Sequence, residues 1–206
     1  TPWWLLALRL VLAALVILAL AHPVLDPGRL LRGSGPLVLV IDNDWSAGRN
    51  WDERQETALA LIDEADRENR SVYIASTAQG STASGVPLRP LTTAEARDQI
   101  RSLSPQPWAG DHGTVLARIE ALELSGSANA VWLSSGHSKA ATGDQPNPSN
   151  LLESALQRLG ALRIIQPAGP DMPLRLSGSE STAEGLRITV TRSATDGINS
   201  AALIAT

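Results

Sequence analysis

The stretch Pro36-Leu-Val-Leu-Val-Ile-Asp42-Asn-Asp44-Trp-Ser46 constrains the fold more than any other part of the chain. Its apolar run, 37–41, is short, shows no polar alternation and is bounded by Gly-Pro before and a polar turn after. That is the pattern of a strand covered on both faces. Such strands belong to open α/β sheets, whose ligand crevice lies just past the carboxyl ends of the strands. Asp42, Asp44 and Ser46 stand there at alternate positions. The same residues also suit a solvated strand end entering a turn, and spacing alone leaves both readings open.

Downstream, strand-like and helix-like patterns alternate. A helix is expected over Trp51–Asn69, with Ala58, Leu61, Ile62 and Ala65 on its apolar face and its charged residues on the outer face. A strand follows over Ser71–Ser76, then a Gly/Ser/Thr/Pro loop over 79–90. Thr92-Thr-Ala-Glu95 reads as a capping box opening a helix to about Leu103. After the loop Ser104–Gly113 come a helix over Thr114–Leu124, a buried strand over Ala130–Ser135 and a polar loop through Gly143–Pro148. A helix over Asn150–Leu159 is closed by Gly160, and a strand runs over Leu162–Gln166. This order predicts a doubly wound, mainly parallel sheet. From Gly169 the helical pattern stops, and 174–176, 186–191 and 201–204 read as short strands.

The amino-terminal run Trp3–Ala21 is nearly continuous apolar sequence with one charge, Arg9. About 20 helical residues cross a bilayer core, so a transmembrane helix is expected, with Trp3 and Trp4 as interfacial anchors and His22-Pro23 as its end. The division is then 1–23 transmembrane helix, 24–35 linker, 36–168 α/β domain, and 169–206 the start of a β-rich module. With Thr1 at the start and a strand-like stretch at the end, the chain reads as a piece of a longer protein.

Composition removes several classes. The net charge is −4 and Lys and Arg are not clustered, which argues against a nucleic-acid partner. A hydrophobic content of 43% excludes wholesale disorder. There are no cysteines, hence no disulfide, thiolate zinc site or Cys nucleophile. His22, His112 and His137 are scattered and no Gly-x-Ser-x-Gly elbow is present, so all three are expected on the surface or in loops. Trp45 and Trp51 are read either as lids packed over the core, the favoured expectation, or as exposed partner anchors, and Trp108 is expected to stand exposed in a Pro-rich loop.

Three signals in order, Asp42-x-Asp44-x-Ser46, Gly110-Asp-His-Gly113-Thr114 and Ser134-Ser135-Gly136, resemble the metal-ion-dependent adhesion site of a von Willebrand factor A domain over about 36–166. In this resemblance Asp42 matches the first Asp, Ser46 the second Ser and Thr114 the loop Thr. Asp44 replaces a Ser, and Ser135 stands where the family has its last Asp, so the site is a degenerate one. The resemblance implies Asp42, Asp44, Ser46 and Thr114 as ligands of Mg²⁺, a hard cation that takes oxygen donors. Trp108, Asp111 and Ser135 are the candidate partner contacts on the same loops. The amino-terminal run in turn resembles the second membrane helix of the aerotolerance-regulator (Bat-type) N-terminal region, with its Leu-Arg-rich start and Ala-x-Pro end.

Together these resemblances imply a bacterial inner-membrane protein. It touches the bilayer through residues 3–21 and holds its soluble domain in the periplasm. The expected function is a non-enzymatic protein-interaction module presenting strand-end loops to membrane or periplasmic partners. The alternatives are a metal-dependent hydrolase and a structural spacer for a downstream domain.

Overall fold

A computed structural model of the chain describes residues 2–20, 31, 34–79, 85–124, 126–137, 147–168, 172–182, 185–194 and 197–205. The chain divides into two compact units, residues 1–30 and 31–206. Most of the expected linker 24–35 and the loop 143–146, with His22, Ser138 and Lys139, lie outside the described residues.

Among the described residues the first unit holds one helix, α1, Trp3–Leu20. Its Leu- and Ala-rich sequence, free of Gly and Pro, explains the helix. The helix does not meet the expectation of a membrane span. Among the described residues no helix is long and apolar enough to cross a membrane. The 18 residues of α1 reach roughly 27 Å at 1.5 Å per residue, against a hydrocarbon core of about 30 Å. Arg9 further confines the charge-free part to 10–20. The inner-membrane and periplasmic placement and the bilayer contact through 3–21 rested on that span, and they are withdrawn with it.

The second unit opens on the expected strand. β1, Leu37–Ile41, is buried at every position. A 3-10 turn, Trp45–Asn50, leads into α2, Trp51–Arg67. Then follow β2 (Val72–Ser76), α3 (Thr93–Ser102), α4 (His112–Glu120), β3 (Ala128–Leu133), α5 (Pro148–Leu159) and β4 (Gly160–Ile165). The four strands form one sheet in the order β2-β1-β3-β4, parallel throughout. Register places Ile41 level with Ser76 on one side and Leu133 on the other, so three strands end together. The chain leaves β1 to one side for β2 and returns to the other side for β3. The switch point, where such sheets hold ligands, therefore lies between β1 and β3.

Helices cover both faces. Val38, Val40, Ala130 and Trp132 pack with Val115 and Ile119 of α4 and Leu152, Ala155 and Leu156 of α5. Strand alternation sends Leu37, Leu39 and Ile41 to the opposite face, where α2 meets β1 and α3 meets β2. The capping box on α3 forms as expected. Glu95 N–H donates to Thr92 Oγ1, while Thr92 N–H donates to Glu95 Oε2 at 2.9 Å.

A second sheet, β5 (Leu174–Thr182), β6 (Gly185–Ala194) and β7 (Gly197–Ala205), is an antiparallel meander. Its strands are longer than the apolar runs that signalled them, because ladder pairing continues through Ser, Thr and Arg positions.

Candidate functional site

Backbone bonds tie the strand ends into one platform. Asp42 N–H donates to Leu133 O at 3.0 Å, Thr77 N–H to Ile41 O at 3.0 Å, and Ser134 N–H to Ile165 O at 2.8 Å. Asn43, buried and not singled out from sequence, staples the neighbouring loops to this platform. Its Oδ1 accepts from Ala78 N–H at 2.8 Å and its Nδ2 donates to Ser104 O at 3.3 Å. The loop before α4 lies hard against the end of β2. A Cβ on Gly110 would fall 2.8 Å from Thr77 Oγ1 and 3.0 Å from Thr77 Cβ, so this approach requires glycine.

Asp42 lies at the switch point with none of its surface exposed. Its Oδ1 accepts from Trp132 Nε1–H at 3.1 Å and lies 3.3 Å from His112 Nε2. Its Oδ2 accepts from Ser135 N–H at 2.9 Å and Ser135 Oγ–H at 3.3 Å. Burial pushes the carboxyl up, but His112, Ser135 N–H and Trp132 together outweigh that and hold its pKa below the ordinary value. The His112 ring sits edge-on to Trp132 with centroids 5.5 Å apart, and its Nδ1 is 3.1 Å from Ser149 Oγ. Burial pushes the His112 imidazole down. The Asp42 hydrogen bond and charge, helped by Asp44 and Asp111, more than reverse this and raise its pKa.

The other acidic residues are turned to local work. Asp44 caps the 3-10 turn, its Oδ1 accepting from Ser46 N–H at 3.0 Å and Ser46 Oγ–H at 2.5 Å. Asp111 caps α4, accepting from Thr114 N–H at 3.1 Å and Thr114 Oγ–H at 2.6 Å. The Thr114 hydroxyl is the main cause of the lowered Asp111 pKa. Asp44 is thus paired with Ser46 and Thr114 with Asp111, both apart from the Asp42 cluster. Among the described residues no three His, Cys, Asp or Glu come together as a metal site. A Mg²⁺ ion needs oxygen lone pairs facing a common centre. Here both Asp42 oxygens face donors inside the core, so this donor set does not fit the ion and gives no support to a metal-dependent hydrolase.

Ser149, His112 and Asp42 form a chain of the Ser-His-Asp type, which sequence order hid. It is not arranged for acyl transfer, because an oxyanion needs free donors next to the nucleophile. Ser149 N–H already donates to Asn147 Oδ1, and the amides of Asn150 and Leu151 both donate to Asn147 O. His112 is therefore a buried structural residue, not the surface or loop histidine expected. The expected start of α4 at Thr114 left it outside the helix, whereas Asp111 caps the helix two residues earlier.

The proposed contact residues divide. Trp108 is exposed and its carbonyl accepts from Trp45 N–H at 3.3 Å. Trp45 is also exposed, contrary to the expected core packing, and meets the His137 ring edge-on at 5.2 Å. Ser135 has no exposed surface.

The residue that pattern reading missed altogether is Arg54. It was counted with the charged outer face of α2, yet only 7% of it is exposed. Its spacing held the signal, since it lies four residues before Ala58 and seven before Leu61, on the buried stripe. Arg54 Nη1–H donates to Leu133 O at 2.7 Å, the carbonyl that also accepts from Asp42 N–H. Its Nε is buried without a hydrogen-bond partner, and no carboxylate among the described residues pairs with it. Burial lowers its pKa against the opposing pull of Asp42, Asp44 and Glu53. Arg54 lines a cleft of about 310 Å³ with Asn50, Glu53, Thr57, Leu133, Ile165 and residues 166–168. The cleft lies at the carboxyl ends of β3 and β4.

No family model matches the chain and no curated protein matches it. With that result, and without the membrane span, the chain is not placed among von Willebrand factor A domains or with the aerotolerance-regulator region. A mixed α/β unit on a parallel sheet is what stands of the expected architecture.

Proposed function

We propose that the second unit is a binding domain for a small organic anion, held by Arg54 in the cleft at the carboxyl ends of β3 and β4. The observation that carries this reading is an arginine only 7% exposed whose guanidinium makes one hydrogen bond, to Leu133 O, leaves its Nε buried and unsatisfied, and forms no ion pair among the described residues. A buried charge without a partner is costly, so such residues are paired or bind something. A guanidinium offers five N–H donors in a planar fork that matches a carboxylate. The cleft shares the carboxyl-end side of the sheet, where open α/β sheets hold ligands, and lies beside the β1/β3 switch point rather than at it. The volume is at the small end of ligand pockets, about 300–1,000 Å³.

The reading is of binding without turnover, supported by a Ser149–His112–Asp42 chain that lacks oxyanion donors. The full chain should melt at higher temperature in millimolar 4-methylpentanoate than in chloride of equal ionic strength. Arg54→Met should abolish that difference, losing at least about tenfold in affinity, the scale of one charge-assisted hydrogen bond. Equal melting of the wild-type chain in 4-methylpentanoate, inorganic phosphate and chloride would overturn the proposal.

A further inference from the structure

The cleft carries a second charge that the anion reading leaves unused. Glu53 adjoins Arg54 in the first turn of α2, and both line the same cavity. Arg54 is buried, whereas Glu53 is exposed. The Glu53 carboxylate accepts no hydrogen bond and forms no ion pair among the described residues. Only its backbone carbonyl is engaged, by Thr57 Oγ–H at 2.8 Å. The cavity therefore presents one cation and one anion, neither of them in an ion pair among the described residues.

The rest of the lining completes a chemical outline. Leu133, Ile165, Pro167 and Ala168 are the apolar residues of the lining, and Asn50, Thr57 and Gln166 its neutral polar ones. The Asn50 side chain makes no cap bond to α2 and is left for other work. A dianionic phosphate suits this lining poorly, because it would meet the Glu53 carboxylate. The favourable charge position at the start of α2 is also already taken by Asp52 and Glu53.

We infer that the ligand is a free α-amino acid with an aliphatic side chain. Its carboxylate meets Arg54, its ammonium meets Glu53, and its side chain lies on the wall of Leu133 and Ile165. This rests on the anion-binding reading and adds the ammonium and the tail. An ammonium–carboxylate pair at a half-open mouth adds both affinity and orientation. A single amino acid also fits a cavity of about 310 Å³.

The test is titration calorimetry on the full chain with L-leucine, with 4-methylpentanoate, which keeps the skeleton and lacks the ammonium, and with inorganic phosphate. Each is repeated on Glu53→Gln, a substitution at an exposed position whose folding is checked by circular dichroism. Leucine should bind about tenfold tighter than 4-methylpentanoate. Glu53→Gln should erase that preference by weakening leucine alone. If 4-methylpentanoate or phosphate binds as tightly as leucine, or Glu53→Gln leaves leucine unchanged, the amino-acid assignment is overturned while anion binding at Arg54 stands. If none of the three binds the wild-type chain, both readings are overturned.

Discussion

Two buried charges share one carbonyl at the end of this sheet, and they are treated in opposite ways. Asp42 N–H and Arg54 Nη1–H both donate to Leu133 O. The Asp42 carboxylate, fully buried, is surrounded by Trp132, His112 and both donors of Ser135. The Arg54 guanidinium, nearly as buried, has that single bond and a cleft beside it. A buried charge with every lone pair satisfied rigidifies the fold around it, while one left short of partners stores free energy that a ligand can release. Burial alone therefore does not distinguish the two charges at this sheet end; the donors left unmet do.

The comparison can be broken most directly at Asp42. Asp42→Ala leaves Trp132 Nε1–H, Ser135 N–H and the His112 ring without their shared acceptor. It should cost about 3–5 kcal/mol in urea unfolding, the scale of a broken buried pair. A loss below about 1 kcal/mol would mean that Asp42 is not the hub. Arg54→Met should act oppositely in the ligand-free chain, giving between no change and a gain of about 1–2 kcal/mol. It forfeits one hydrogen bond but removes an unpaired buried cation. A loss above about 2 kcal/mol would place Arg54 with Asp42 as a structural charge and remove the contrast.

A smaller and finer effect is in pH. The Asp42 pKa is held down, so its contribution is present above the unfolded carboxyl value and fades as pH falls through the folded value. The His112 pKa is raised, so its contribution is full below the unfolded imidazole value and fades as pH rises through the folded one. The pair should therefore stabilise most between about pH 4 and 6.5, the ordinary values of the two groups. Melting temperature should decline on both sides of that window. His112→Gln should remove the decline on the alkaline side, and an unaltered alkaline limb would show that His112 is not the titrating group.

Much of the scaffold was legible because local chemistry and tertiary structure agree there. β1 keeps its expected bounds, since a short apolar run closed by Gly-Pro and Asp has one good solution in an α/β sheet. The Thr92–Glu95 box starts α3 because its hydrogen bonds span only three residues. The site was less legible. Asp42 was marked for a place, at the strand end, but its role as a core acceptor depends on Trp132 and Ser135, 90 and 93 residues away in sequence. Arg54 was hidden by its residue type, since a charged side chain on an amphipathic helix is ordinarily on the outside. Only its phase with Ala58 and Leu61 argued otherwise.

The sequence by itself determined the alternation of strands and helices, the place where β1 ends, and the acidic and hydroxyl residues gathered there. These follow from periodicity, caps and breakers, which act over a few residues. Tertiary structure alone decided which of those polar groups face one another. It turned Asp42 inward to His112, Trp132 and Ser135 and left Arg54 short of a partner at a cleft, whereas the Thr114–Asp111 and Ser46–Asp44 bonds span only two or three residues. Hydrogen-bond satisfaction is set by groups brought together from distant strands, and no local pattern records which donors will find an acceptor.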